Sequence, residues 1–145
     1  MAPFIFLVVM GIVVASIVVT NQTQLNNVVR DGARLAGLCG GSARQAGRVP
    51  RQLTTCSTAA VEAYIQNNLD ALPANTLSFS VTVTSVGGTT FGNDLASCSQ
   101  GRVITINASF DQPLYLPLVG NFLSNNTHHN GSRTLSADAQ AVCTQ

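Results

Sequence analysis

Hydrophobic residues fill the beginning of the chain almost without interruption. Residues 4–19 read FIFLVVMGIVVASIVV, and only Gly11 and Ser16 break the apolar run. A helix needs ~20 mostly apolar residues to cross the hydrocarbon layer of a membrane, and residues 2–21 meet that length. The core helix of a soluble protein is the alternative, but so uniformly apolar a terminus is unusual for one. We therefore predict a helix that is buried in a membrane or in an assembly.

A second pattern begins after Thr20. Small and large apolar residues recur there at three- and four-residue spacing, with polar residues between them: Leu25, Val28, Val29, Ala33 and Ala36. The many β-branched residues of the apolar run would favour a strand in water. A segment in hydrocarbon must satisfy its own backbone groups, however, and this requirement selects a helix. We predict one continuous helix over residues 1–38, which stops at Gly40 and Gly41.

A cleavable secretory signal is the other alternative for the apolar run. Such signals place Lys or Arg before the run and a small-residue cleavage site after it. No basic residue precedes this run, and the following sequence, TNQTQLNNVVRDGARLAG, continues as a helix. We expect either that a basic leader was removed before Met1 or that the true start lies upstream, and the sequence leaves both open.

The rest of the chain predicts one short helix and several strands. Ser57 is a helix-capping residue, and an apolar stripe continues to about Leu72 before Pro73 ends the helix. Residues 77–83, 102–110 and 134–143 alternate apolar and polar side chains, as half-buried antiparallel strands do. This order predicts an α+β fold, with a long protruding N-terminal helix and a short helix packed on a three- to four-stranded antiparallel sheet.

Four cysteines lie beyond the apolar run, and none of them forms a CxxC pair that would indicate zinc or redox chemistry. An even number in a small exported domain predicts two disulfides and an oxidising compartment. We predict that Cys39–Cys56 joins the end of the long helix to the start of the second. Cys98–Cys143 follows if strands 102–110 and 134–143 pair antiparallel. A Cys39–Cys98 or Cys56–Cys143 link would require another sheet order.

Charge and chemistry narrow the function classes. Only 9% of residues are charged and the net charge is +1, whereas nucleic-acid binding needs a dense basic face. The six acidic residues are scattered, so we predict neither an enzyme nor a cofactor. His128 and His129 lie in a polar segment without nearby carboxylates or thiols, which favours solvent exposure over metal binding. Arg30, Asp31 and Arg34 fit a solvated or inter-subunit face better than a catalytic site.

Small residues mark possible helix contacts. Gly11 and Ala15 form a small-xxx-small pattern that lets helices approach closely, although ordinary membrane-helix composition explains it equally well. Gly32 and Ala36 belong to a second patch of small residues. A glycine inside a helix lowers helix stability by ~1 kcal/mol, so we expect close packing at this patch. Asn125 and Asn130 begin acceptor patterns for N-glycosylation in a polar segment.

The N-terminal helix resembles the TadE-like family of tight-adherence pilus proteins. The resemblance rests on Pro3, on Gly11-Ile12-Val13, and on the Ala-Arg-Glu-Gly-Ala-Arg-like signature that reads NVVRDGAR at residues 27–34. It is specific over residues 3–37. The family usually has a Glu a few residues after the Gly-Ile-Ile, where this chain has Val14, so subunit docking here would rest on apolar packing.

The resemblance implies a type IV pilin-like subunit. Residues 1–38 would be a transmembrane and filament-core helix, and residues 39–145 a disulfide-bonded extracellular head. The implied partners are copies of itself, the inner membrane before assembly, and the Tad-type assembly machinery, with a cell-surface filament as the final location. Two alternatives remain open. One is a minor or initiating pilin, and the other is a monomeric membrane-anchored domain that binds a target through residues 113–123.

Overall fold

A single long helix dominates the N-terminal part of the protein. The computed structural model describes residues 2–39, 50–69, 77–113 and 132–144. Helix α1 spans Ala2–Leu38, so its 37 residues extend over about 55 Å. These bounds confirm the continuous helix predicted from the apolar run and the amphipathic stretch.

The second helix is shorter than its apolar stripe predicts. Helix α2 spans Thr58–Asn67, and the Ser57 hydroxyl accepts a hydrogen bond from the backbone N–H of Ala60, as expected for the capping residue. The predicted end near Leu72 is wrong. Asn68 ends the helix instead, because its side-chain amide donates to the Tyr64 carbonyl at 2.8 Å and satisfies an acceptor at the helix terminus. Leu72 and Pro73 lie outside the described residues.

Four antiparallel strands form one sheet in the order β2-β1-β3-β4. Their bounds are β1 Leu77–Ser85, β2 Thr90–Gly92, β3 Arg102–Pro113 and β4 Ser132–Val142. The three predicted strands are all present, and β2 is a short addition at one edge. The predicted pairing of the last two long strands is also correct, since Ile106 lies opposite Ala139. The architecture is the predicted α+β arrangement.

Helix α1 runs along the sheet in the same direction as β4. Near its middle, the side-chain amide of Gln22 donates to the Ser136 carbonyl at 2.7 Å. At its end, the Thr144 backbone N–H donates to the Gly37 carbonyl at 3.2 Å. Helix and sheet enclose one core, whose most completely buried large side chains are Leu25, Val29, Val61, Ile65, Val83, Leu95, Ile104, Ile106 and Phe110.

Two disulfides close the end of the molecule at which α1 stops. Cys39 is joined to Cys56, and Cys98 is joined to Cys143. This is the pairing predicted from the helix ends and the antiparallel strands. Each disulfide lowers the conformational entropy of the unfolded chain. The Cys39–Cys56 disulfide also holds the end of α1 beside the start of α2.

Candidate functional site

The candidate site is the first part of α1, where large apolar side chains are exposed. We call residues 4–17 the protruding half of the helix and residues 18–38 the packed half. α1 is long and apolar enough to cross a membrane, with a mean hydropathy of 2.6 over 18 residues. Large apolar side chains of its first part are nonetheless exposed: Phe4, Ile5, Phe6, Leu7, Val8, Val9, Ile12, Val13, Ile17 and Val19.

The hydroxyl groups along this surface are satisfied within the helix. Ser16 donates to the Ile12 carbonyl at 2.9 Å, and Thr20 donates to the Ser16 carbonyl at the same distance. Thr23 does likewise to the Val19 carbonyl. A hydroxyl bonded to its own helix costs little when the helix enters an apolar medium. The polar residues therefore leave the apolar surface suitable for lipid or for other helices.

The small residues Gly11 and Ala15 lie on the protruding half. A Cβ atom added at Gly11 would meet no atom within 4 Å, and Ala15 is exposed. Both positions therefore have room for the close approach of another helix. Their role as contacts between helices stays a prediction.

Gly32 and Ala36 lie instead inside the subunit. A Cβ atom at Gly32 would come within 2.8 Å of the Ile65 Cδ1 atom of α2, so a larger residue at this crossing would require the Ile65 side chain to shift. Ala36 is fully buried in the core. Gly37 is equally confined, since its Cβ would lie 2.9 Å from the Val142 carbonyl oxygen. The second patch of small residues thus brings α1 close to α2 and β4.

The charged residues of α1 lie on the side away from the core. Arg30, Asp31 and Arg34 are all exposed. Asp31 and Arg34 line a shallow cleft together with Leu35, Leu38, Gln52 and Tyr64. The described residues that line this open cleft include no Ser, Thr, Cys or His side chain.

The described residues contain no group of three or more His, Cys, Asp or Glu side chains that could hold a metal. His128 and His129 lie outside the described residues, as do the predicted glycosylation sites Asn125 and Asn130. Of the segment 113–123, only Pro113 is described.

The sequence analysis did not predict the burial of two polar residues. Asn21 is buried on the packed half of α1, and Gln112 is buried near the end of β3. The Gln112 Oε1 atom has no hydrogen-bond partner in the described part of the protein. The burial of Gln112 could have been predicted from the alternation along the strand, because Gln112 continues the inward-facing row of Ile106, Ala108 and Phe110.

Comparison with known proteins singles out the same helix. No curated protein and no solved structure matches the chain. The family model described as TadE-like protein matches residues 1–34, which cover the protruding half of α1 and most of the packed half. This match confirms the resemblance predicted from Pro3, Gly11 and residues 27–34. Over residues 1–34, the chain is therefore similar to the TadE-like proteins.

Proposed function

We propose that the protein is a structural, pilin-like subunit that polymerises through α1 into an extracellular filament. The TadE-like match and the apolar N-terminal helix fit a protein related to the Tad pilus. The observation that carries the proposal is the exposure of large apolar side chains along the protruding half, with Phe4 73% exposed. Exposed apolar patches of this extent mark surfaces that contact a membrane or another protein.

Apolar burial supplies the free energy of assembly. Removing one large apolar side chain from water is worth ~1.5–3 kcal/mol, and each helix offers about ten of them. No ionisable side chain lies between residues 4 and 19. Helices of neighbouring copies would therefore associate by burial and close packing alone, with Gly11 and Ala15 allowing a close approach.

The head is proposed to face outward from the filament. The head comprises residues 39–145, as the sequence predicts, and also the packed half of α1, whose buried residues belong to the same core. Two disulfides suit an extracellular domain of this size. Before assembly, the protruding half would lie in the inner membrane, where the Tad-type machinery would collect the subunit. The proposed role is structural, without catalysis, cofactor or nucleic acid.

Electron microscopy of cell-surface material tests the polymer directly. We expect abundant uniform fibres that contain this chain and label with an antibody to the head. If the protein is a minor or initiating pilin, the antibody should label the fibres only at rare positions. If it is a monomeric anchored domain, no fibres should be labelled. Either result would contradict the bulk polymer.

Salt tests the nature of the contacts within the fibre. Because salt screens charges and not apolar contacts, we expect the fibres to persist in about 1 M NaCl. Sulfate should strengthen them, since it favours apolar burial. Fibres that dissolve in NaCl would show that α1 is not the core.

A further inference from the structure

The sheet has one end at which β3 stops and β4 starts. Pro113 lies opposite Ser132 there, and Gln112 lies opposite Arg133. We call these four residues the lower end of the head. Val86, which follows β1, lies at the other end of the sheet and is 84% exposed.

Contacts with α1 fix the level of the lower end along the helix. Gln22 is bonded to the Ser136 carbonyl, and β4 runs in the direction of α1. Ser132 is four strand residues before Ser136, which is about 13 Å. The same distance corresponds to about nine helix residues, counted back from Gln22. The lower end is therefore level with the region near Val13, and Val14 indeed packs against the core from there.

The helix is still apolar and exposed at this level. Ile17 and Val19 are 48% and 65% exposed on the sides of α1 that do not face the sheet. The exposed apolar residues and the head thus overlap along the helix from Val13 to Val19, a length of roughly 9 Å. A lipid layer that covers Val19 on the exposed side of α1 would also reach the lower end of the head, which lies on the opposite side of the helix.

The inward-facing rows of the sheet become polar in the same place. The row through Phe110 ends at Gln112, and the row through Leu135 ends at Arg133. Gln112 is only 8% exposed and its Oε1 acceptor has no partner in the described part of the chain. Buried acceptors are normally bonded, and a charged Arg is costly in hydrocarbon. Both residues suit the hydrated headgroup layer, which offers water as a donor and phosphate oxygens as acceptors.

We propose that, before assembly, the lower end of the head lies in the phospholipid headgroup layer. This inference rests on the proposed membrane stage of α1. The head is held against the membrane surface because Val14 and Val18 tie it to the apolar part of the helix. It does not stand clear of the membrane on a free helical stalk.

Tryptophan fluorescence can measure the depth of the head, because the chain contains no Trp. The full chain would be placed in phosphatidylcholine vesicles with one Trp at a time. Pro113→Trp reports on the lower end, Val86→Trp on the far end, and Phe6→Trp on the protruding half. All three positions are exposed, so the new side chain needs no space in the core. Mapping of the two disulfides without reduction checks that each variant is folded.

Two quenchers separate the depths. Lipids brominated in the acyl chains should remove most of the emission of Phe6→Trp. A headgroup spin label should remove most of the emission of Pro113→Trp, which should also shift to the blue when vesicles are added. Val86→Trp should keep its intensity and wavelength with both quenchers. Ser132→Trp, opposite Pro113, provides a second reporter if the first variant fails to fold.

The outcomes distinguish this inference from the proposed function. If Phe6→Trp is quenched while the Trp variants at the lower end behave like Val86→Trp, the head stands clear of the membrane and the inference is wrong. If Phe6→Trp is not quenched either, the membrane stage of the proposed function fails, and the inference fails with it.

Discussion

The two halves of α1 have the same backbone conformation and opposite surroundings. The protruding half carries large apolar side chains that are exposed. The packed half has polar residues on one side and apolar residues on the other, and the apolar side is buried. Leu25, Val29 and Ala33 are buried in the core, whereas Phe4 and Phe6 are 73% and 63% exposed. The more hydrophobic half is thus the less buried one.

This difference shows that hydrophobicity alone does not indicate what covers a segment. In the packed half, the amphipathic pattern gives one apolar side, and Gly32, Ala36 and Gly37 let that side approach its neighbours closely. In the protruding half, apolar residues surround the helix, which suits lipid or several other helices. The packed half therefore belongs to the core of the head, and the protruding half offers the apolar surface on which the proposed assembly rests.

A charge in the protruding half should have the largest effect. We expect Gly11→Asp to abolish filament formation, because the carboxylate would have no partner among apolar helices and a charge at a helix centre costs ~2.5–3.5 kcal/mol per copy in a membrane. The head should still form both disulfides. Electron microscopy and mapping without reduction would measure the two results. Gly11→Asn is the matched uncharged control and should assemble better. Fibres of Gly11→Asp would mean that the protruding half is not the core.

Removal of a disulfide should affect only the head and the packed half. In the chain-entropy model, loss of Cys98–Cys143, with a sequence separation of 45, costs about 4 kcal/mol, and loss of Cys39–Cys56, with a separation of 17, about 3 kcal/mol. Urea unfolding of the paired Cys→Ser variants would measure both. A larger loss for the Cys39–Cys56 variant would show that strain or packing at the end of α1 outweighs loop length.

Shortening the chain tests where the packed half begins. A chain that starts at Gln24 should remain soluble and monomeric, because Leu25 and Val29 still cover the sheet. It should be about 2–4 kcal/mol less stable than a chain that starts at Ser16, since it lacks the buried Val18 and the hydrogen bond of Gln22. Sedimentation and urea unfolding under oxidising conditions would measure this. An insoluble fragment would argue against a self-contained head.

The same small substitution in both halves gives the finest comparison. Gly37→Ala should destabilise the head by about 1–3 kcal/mol, because its Cβ would lie 2.9 Å from the Val142 carbonyl oxygen. Gly11→Ala meets no atom within 4 Å and should leave the unfolding free energy unchanged or raise it by up to ~1 kcal/mol through helix propensity. Equal effects in thermal unfolding would remove the distinction between the halves.

Much of this architecture follows from local patterns. The length of α1, the alternation in β1, β3 and β4, and the Ser57 cap each depend on a few neighbouring residues, and the sequence predicts them correctly. The disulfide pairing was predictable because antiparallel pairing places Cys98 beside Cys143. The family resemblance over residues 3–37 was readable for the same reason, since its motif is continuous along the helix.

Other features depend on contacts between distant residues. The apolar run gives no sign that Val18 faces the sheet, because every side of the helix looks alike there. The early end of α2 depends on the Asn68 side chain turning back to Tyr64. The missing partner of the Gln112 Oε1 atom in the described part of the chain depends on the folded surroundings of β3, which the strand alternation does not specify. The sequence by itself thus determined the elements and the apolar character of α1. The tertiary structure decided which part of α1 stays uncovered, because the level at which a helix leaves a sheet is set by packing between segments over a hundred residues apart, such as Gln22 and Ser136, which are separated by 114 residues.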